Sequence, residues 1–130
     1  MKRLATLLAA AMLASIAGCQ VKPDSGLLNS AELQHLFSNK TVESYNLING
    51  STSFTYYAED GHVIQHRYWE KRVGRWSIAD DKICLSMSGK KESCRTMQYE
   101  GGKYYKYRES SQGEQEKIIR YRQFLVGNQL

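Results

Sequence analysis

From residue 41 onward, short runs of β-branched and aromatic residues alternate with turn residues such as Asn49-Gly50, Asp80-Asp81 and Gly101-Gly102. The turns recur about every ten residues, a rhythm typical of an antiparallel sandwich or barrel. The predicted strands cover residues 41–48, 51–58, 62–69, 72–78, 83–87, 94–99 and 103–108, and residues 117–126 form a final strand or a strand followed by a helix. This pattern constrains the fold more than any other feature, because short strands joined by tight turns pair with their neighbours.

A short helix is predicted before the first strand. Asn29 is an N-cap residue with Glu32 three positions later, and Leu28 and Leu33 are placed to form a hydrophobic staple. One helical face would carry Leu33, Leu36 and Phe37. Asn39 would end the helix, which we expect to pack on the sheet or to plug the end of a barrel.

These elements predict one mainly β domain over residues 28–130, most simply a small antiparallel barrel of seven or eight strands preceded by the helix. Several segments of this domain form a further pattern: 56–61, 74–78 and 82–84, with Gly89, Cys94, Tyr104-Tyr105 and Gly127-Asn128. In this pattern the domain resembles a group of small secreted bacterial proteins of uncharacterised function. The resemblance implies a lipocalin-like β fold with a structural disulfide, and it carries no catalytic residue across.

The N-terminus has the anatomy of a secretion signal. Lys2 and Arg3 precede an uninterrupted run of apolar and weakly polar residues, 4–17. This run is shorter than the ~20 residues that cross a bilayer comfortably as a helix. An uncleaved anchor helix is the competing interpretation.

The segment Ile16-Ala17-Gly18-Cys19 resembles the lipobox of bacterial lipoproteins, which favours cleavage after residue 18. The resemblance implies a diacylglyceryl group on Cys19, with residues 19–27 as lipidated cysteine and tether. Gln20 is not the aspartate that retains enterobacterial lipoproteins at the inner membrane. The resemblance therefore implies an outer-membrane protein, lipid-anchored and facing the periplasm.

The charge balance argues against nucleic acid as a partner. The chain has 18 Lys and Arg against 13 Asp and Glu, and loss of Lys2 and Arg3 with the signal leaves a net charge of +3. Both signs are scattered along the chain, unlike the concentrated basic footprint of a nucleic-acid binder. The expected partners are the membrane, through the anchor, and a small amphiphile or an envelope protein.

Cys84 and Cys94 remain after Cys19 is assigned to the lipid. An even pair of cysteines in an exported protein is most simply a disulfide. A fold about Gly89 sets the two cysteines opposite each other on adjacent antiparallel strands. A metal pair or a redox dithiol is disfavoured, because there is no CxxC spacing and no His or further Cys nearby.

Metal and catalytic chemistry find little support in the sequence. His62 and His66 are four apart on a predicted strand, about 13 Å at roughly 3.3 Å per residue, which is too far for one metal even with His35. The acidic pairs occupy turns, and there is no nucleophile elbow, phosphate loop or dinucleotide fingerprint. We therefore predict no enzyme, no metal and no cofactor, with a hydrolase of unrecognised site as the remote alternative.

Aromatic residues supply the candidate ligand-binding positions. A tyrosine at a barrel mouth offers an apolar ring with a polar tip to a lipid or sugar. The candidates are Tyr56, Tyr68, Tyr105 and Tyr107. Core packing is the competing interpretation for Trp69, Trp76, Tyr105 and Tyr107, and we expect most of them in the core.

The predicted function is therefore a non-enzymatic envelope lipoprotein whose barrel binds a small amphiphile or envelope component. The alternative is a protein-interaction module of the envelope, an assembly factor or an inhibitor. An open, tyrosine-lined interior would favour the first. A closed core with an exposed loop cluster, for example at 110–114, would favour the second.

Overall fold

The computed structural model describes residues 26–130. The proposed signal peptide, Cys19 and the tether up to residue 25 lie outside the described residues. The helix α1 is Ser30–Phe37, and the strands are β1 Lys40–Asn46, β2 Thr52–Tyr57, β3 His62–Arg67, β4 Glu70–Ala79, β5 Lys82–Met87, β6 Ser93–Arg95, β7 Met97–Glu100, β8 Lys103–Glu109 and β9 Gln115–Val126. Within residues 26–130, no helix is both long and apolar enough to span a bilayer.

All nine strands form one antiparallel sheet in the order β6-β5-β4-β3-β2-β1-β9-β8-β7. β6 and β7 are consecutive in the chain, yet they lie at opposite edges of this sheet. The chain turns from one edge to the other at Thr96, whose carbonyl accepts a hydrogen bond from Tyr107 N on β8 at 3.0 Å. The sheet therefore curls into a nearly closed barrel.

The barrel has nine strands rather than the predicted seven or eight. The number is higher because the predicted strand at 94–99 is divided into β6 and β7. Its first part pairs with β5, so that Cys94 lies opposite Cys84. Its second part pairs with β8, so that Met97 lies opposite Lys106. The strand is interrupted at Thr96 between these two parts, where the two edges of the sheet come together.

The disulfide between Cys84 and Cys94 is confirmed. The two cysteines are directly opposed across β5 and β6, with their Cα atoms 4.0 Å apart. Gly89 lies in the connection between these strands with a φ of +74°, a conformation that glycine adopts without steric cost. The bridge pins the register of β6, which has only three residues.

Two predicted turns differ in detail. The turn expected at Asn49-Gly50 extends over residues 47–51, because the Asn46 side chain accepts hydrogen bonds from the backbone of Ile48 and Asn49 and ends β1 early. The turn between β3 and β4 is Tyr68-Trp69, with Arg67 paired to Glu70.

Trp69 is therefore not a core residue, contrary to expectation. It stands at the tip of the β3–β4 hairpin and is 100% exposed. Tyr68 before it adopts a φ of +55°, which completes the two-residue turn. The segment 62–69 predicts one strand, and the two-residue turn ends that strand at Arg67.

The helix is confirmed as predicted. Asn29 Oδ1 accepts a hydrogen bond from Glu32 N at 2.9 Å, and Glu32 Oε1 accepts one from Asn29 N at 3.3 Å, which forms a capping box. Ser30 N and Oγ both donate to Asp81 Oδ1 in the β4–β5 turn. The helix start is thereby tied to one side of the barrel, while its end leads directly into β1 on another side.

Phe37 is the centre of the core at the helix end. Its ring makes edge contacts with Tyr57, Tyr121 and Phe124 at centroid distances of 4.9, 5.5 and 5.6 Å. Trp76 contacts Tyr57 in turn and donates from its indole Nε1 to Ala58 O at 2.8 Å. The helix thus closes one end of the barrel with a dry aromatic cluster.

Candidate functional site

The two ends of the barrel are closed differently. α1 covers one end, and antiparallel pairing brings four connections together at the other, which we call the mouth. These connections are β1–β2, β3–β4, β5–β6 and β8–β9. Behind the mouth, the inward side chains change from aromatic to polar.

A cavity of about 80 Å³ lies in this polar half, and we call it the lumen cavity. Its uncharged polar lining consists of Ser44, Asn46, Ser51, Ser53, Thr55 and Gln65. Its floor and walls are completed by Tyr57, Leu85, Ile119 and Tyr121. Two cations, Arg67 and Lys106, also face it.

Strand alternation sets this lining. β2 directs every second residue inward, so that Ser53 and Thr55 precede the core residue Tyr57. β3 does the same with Gln65 and Arg67. The polar residues lie toward the mouth, and the apolar residues of the same strands lie toward α1.

Lys106 is buried beside this cavity without an acidic partner. It is 9% exposed, and its ammonium lies 6.0 Å from the centre of the Tyr121 ring. Burial, and secondarily the positive charge of Arg95, lowers the pKa of Lys106 to about 8. Among residues 26–130, no carboxylate lines the cavity.

Several hydrogen-bond donors around the cavity have no partner or form only a long hydrogen bond. Arg67 Nε and Ser51 Oγ are buried and have no hydrogen-bond partner within the described part of the chain. Gln65 Nε2 donates to Thr55 Oγ1 at 3.2 Å, while Arg72 Nη1 approaches Gln65 Oε1 at 3.5 Å. A buried donor without a partner costs about 1–3 kcal/mol, so the cavity favours a ligand that accepts hydrogen bonds.

The rim of the mouth carries exposed apolar side chains. Trp69 and Tyr68 stand at the tip of the β3–β4 hairpin, and the Arg67 guanidinium lies 5.7 Å from the centre of the Tyr68 ring. Ile48 is 56% exposed in the β1–β2 turn at the same end. The entrance therefore combines apolar edges with a cationic interior.

The four candidate tyrosines are not gathered in the cavity. Tyr56 donates from its hydroxyl to Asn39 Oδ1 at 3.0 Å near the helix end, and Tyr68 stands at the mouth, 64% exposed. The tyrosines in the cavity wall are instead Tyr57 and Tyr121. Burial raises the pKa of both phenols, which therefore stay protonated.

Tyr105 and Tyr107 precede and follow Lys106 on β8. Both lie beside Lys117 rather than in the lining of the lumen cavity. The Lys117 ammonium lies 4.5 Å from the centre of the Tyr105 ring and 2.9 Å from Glu100 Oε2. The Tyr107 hydroxyl donates to the same carboxylate oxygen at 3.1 Å. Tyr107 and Trp76 are buried, as the core interpretation expected, while Tyr105 is half-buried.

The described carboxyls with displaced pKa values stay ionised. Hydrogen bonds from the His62 backbone and side chain lower the pKa of Asp60, and those from Lys117 and Tyr107 lower that of Glu100. A general acid needs the opposite shift. His62 and His66 are exposed on the barrel surface, and His62 Nδ1 lies 2.9 Å from Asp60 Oδ2.

Other features of the described residues are less suited to a binding site. A depression of about 700 Å³ surrounds the 110–114 loop, and a groove of about 360 Å³ runs between α1 and Tyr104; both are broadly open to solvent. Potential ligand atoms of Cys84, Glu92 and Cys94 lie within 4.8 Å of one another. Both sulfurs belong to the disulfide, so no thiolate is left to bind a metal.

Comparison with known proteins adds no relative. No protein-family model matches the chain, and neither curated proteins nor solved structures give a significant match.

The cationic lining was missed in the sequence. In the sequence, Lys106 stands out only as a neighbour of the tyrosines, and Arg67 falls within a longer predicted strand. The sequence pattern that indicates this lining is the alternation of polar residues along two strands. Polar residues recur at every second position through Ser53 and Thr55, and through Gln65 and Arg67. These residues occupy positions that a closed apolar core would fill with hydrophobic side chains.

Proposed function

We propose that this protein is a lipid-anchored lipoprotein of the bacterial envelope that binds a small amphiphile or envelope component in its barrel and performs no catalysis. The observation that carries the proposal is the lumen cavity, with two cations and unpartnered buried donors behind an apolar rim. Unpartnered groups of this kind are costly in a structural core, and a bound ligand would satisfy them.

The geometry favours an amphiphile with its polar end innermost. The cavity of about 80 Å³ is small and lined mainly by polar side chains, which suit a head group better than a hydrocarbon chain. An apolar portion would extend through the mouth and contact Trp69, Tyr68 and Ile48, which are exposed there. This arrangement replaces the tyrosine-lined interior expected from the sequence.

A lipocalin-like relationship is part of the proposal. Its support is the cup shape of the barrel, closed by α1 at one end and polar behind the mouth at the other. The resemblance of the sequence segments around Gly61, Trp76 and Cys84 points the same way.

The location rests on the N-terminal sequence. The lipobox cysteine Cys19 would carry the lipid, and Gln20 would direct the protein to the outer membrane, facing the periplasm. At least two acyl chains give stable membrane anchoring, because each buried methylene contributes about 0.8 kcal/mol. The structure begins shortly after this segment, where Leu27 forms a bridge with Gln98 on β7.

We propose that the protein is not an enzyme because the carboxyl groups with displaced pKa values stay ionised. Asp60 and Glu100 are held ionised by their neighbours, which leaves neither as a proton donor near neutral pH. No carboxylate of the described residues lines the lumen cavity, so its two cations have no acidic partner there.

Native mass spectrometry of the processed chain, extracted in a non-ionic detergent, tests the binding function. We expect a reproducible extra mass that denaturation removes. The variant Ser53→Leu, which fills the cavity with an apolar side chain, should lose this mass, while Ser77→Leu on the exposed surface of β4 should keep it. A bare mass for the wild-type protein would refute ligand carriage.

The second candidate is a protein-interaction module of the envelope. It is favoured by Trp69, because an entirely exposed tryptophan at a hairpin tip is suited to insert into a partner's pocket. Cross-linking in intact cells from position 69 would separate the two candidates. A discrete protein adduct, together with a bare native mass, would favour the interaction module.

A further inference from the structure

We infer that the lumen cavity binds a phosphate group between the guanidinium of Arg67 and the ammonium of Lys106. This inference rests on the proposed function, since it names the chemical class of the ligand for the same cavity. It depends on the charge, the donor geometry and the size of the site.

The charge in and around the cavity is positive and uncompensated within residues 26–130. Arg67 and Lys106 line the cavity, Arg95 acts electrostatically on Lys106, and Arg72 reaches Gln65 in the cavity wall. The ion pairs of the described chain involve other groups, such as Arg108 with Glu116 and Lys117 with Glu100. A buried cation without a counter-charge is strongly unfavourable, so an anion in this cavity would supply the missing negative charge.

The donors surround the cavity from several strands rather than from one side. Arg67 comes from β3, Lys106 from β8 and Ser53 from β2, while Ser51 lies just before β2. Arg67 Nε and Ser51 Oγ have no other partner in the described chain. A planar carboxylate has two oxygens to offer, whereas a tetrahedral phosphate presents acceptors in all these directions, and the arginine fork matches it in two-point contact.

The size of the cavity agrees with a phosphate group. The cavity is small, about 80 Å³, which is more space than one water molecule needs. A phosphate group is compact enough for a space of that order. The phosphate can come from the free anion or from the head group of an amphiphile whose apolar part remains at the rim beside Trp69.

Isothermal titration calorimetry of the processed full chain at pH 7, in non-ionic detergent and low salt, tests the inference. The probes are inorganic phosphate, octyl phosphate and acetate. The variants are Lys106→Met and Arg67→Gln, with Lys90→Met at the exposed β5–β6 turn as the matched control. Circular dichroism checks that each variant is folded.

We expect one phosphate site per chain, with affinity reduced about tenfold or more in each lumen variant, since a charge-assisted hydrogen bond is lost. Lys90→Met should match the wild-type protein, and acetate should bind more weakly than phosphate. Tighter binding of octyl phosphate would identify an amphiphile as the source, and equal binding would identify the free anion. Equal affinity in wild type and lumen variants, or acetate binding as tightly as phosphate, would overturn the inference.

The outcome is separable from that of the proposed function. If neither phosphate compound binds while native mass spectrometry shows a carried molecule, the phosphate assignment is wrong and ligand carriage stands. If the native mass is bare and neither compound binds, both are wrong.

Discussion

Lys106 is a buried lysine that lines the lumen cavity. It lies opposite Met97 and Ile119 in the sheet, with its side chain among interior residues, yet it carries a titratable ammonium. Its neighbours on β8, Tyr105 and Tyr107, contact Lys117 instead. A single strand thus places Lys106 at the lumen cavity and its two tyrosine neighbours beside Lys117.

The stability of the protein should rise between pH 8 and about 10 because of Lys106. Its pKa is about 8 in the folded state and 10.5 ordinarily, so in this range the unfolded chain binds more protons than the folded chain. The expected gain in the free energy of unfolding is on the order of 2 kcal/mol. Above pH 10 the trend should reverse, because Tyr57 and Tyr121 have raised pKa values and ionise first in the unfolded chain.

Urea denaturation at intervals from pH 7 to 10 measures this dependence. The variant Lys106→Met should remove most of the rise, and Lys90→Met should retain it. A wild-type stability that stays level or falls over this range would mean that Lys106 is not buried as described.

The two tryptophans should differ sharply in their contribution to stability. Trp76 is 6% exposed and packs against Tyr57, so Trp76→Ala should cost about 3–5 kcal/mol of unfolding free energy. Trp69 is wholly exposed, so Trp69→Ala should change this quantity by no more than about 0.5 kcal/mol. Acrylamide quenching of the Trp76→Phe and Trp69→Phe proteins checks the exposures, and equal quenching of the two would contradict the hairpin geometry.

At the scale of elements, β6 depends on the disulfide more than any other strand of the barrel does. It has three residues, it pairs only with β5, and it is the strand that precedes the corner at Thr96. The bridge from Cys84 to Cys94 therefore holds the sheet edge that must meet β8.

Removal of the disulfide in the double variant Cys84→Ser/Cys94→Ser should lower the free energy of unfolding by about 2–4 kcal/mol, toward the lower value because the bridged residues are only ten positions apart. Urea denaturation measures the loss, and reduction of the wild-type protein should reproduce it. Unchanged stability in both experiments would show that the bridge does not constrain the barrel.

Local sequence signals predicted the elements well. The capping pair Asn29 and Glu32, the turn at Asp80-Asp81 and the cysteine hairpin each depend on residues close in sequence, and each is present. The split at Thr96 was not foreseen, because a change of strand partner is decided by barrel closure rather than by local preference.

The candidate site was harder to predict for a related reason. Whether Arg67 and Lys106 face a lumen or solvent depends on strand register and on the curvature of the sheet. The amphipathic chemistry of tyrosine favoured four tyrosines as ligand contacts, but Tyr56, Tyr105 and Tyr107 lie away from the cavity lining. Inward polar alternation in β2 and β3 was the available clue.

At the level of the whole molecule, the barrel has one end closed by α1 and a polar mouth at the other. The first described residues pair with β7 through Leu27 and Gln98. The lipid anchor that we propose at Cys19 precedes these residues in the chain.

Cys19→Ser should abolish lipidation and membrane association of the full chain. Metabolic labelling with palmitate and fractionation of the envelope measure both. The wild-type protein and the Cys84→Ser/Cys94→Ser variant, which keep Cys19, should take up the label. A Cys19→Ser protein that is processed normally and remains in the membrane would rule out the lipoprotein assignment.

A heteronuclear NMR titration tests most directly whether the barrel holds a ligand behind its mouth. The ¹⁵N-labelled protein, stripped of bound material by unfolding and refolding, is titrated with the small molecules released from the same protein. We expect saturable shift changes concentrated at Ser51, Ser53, Gln65, Arg67 and Lys106. Shift changes confined to the outer surface, or none at all, would contradict this expectation.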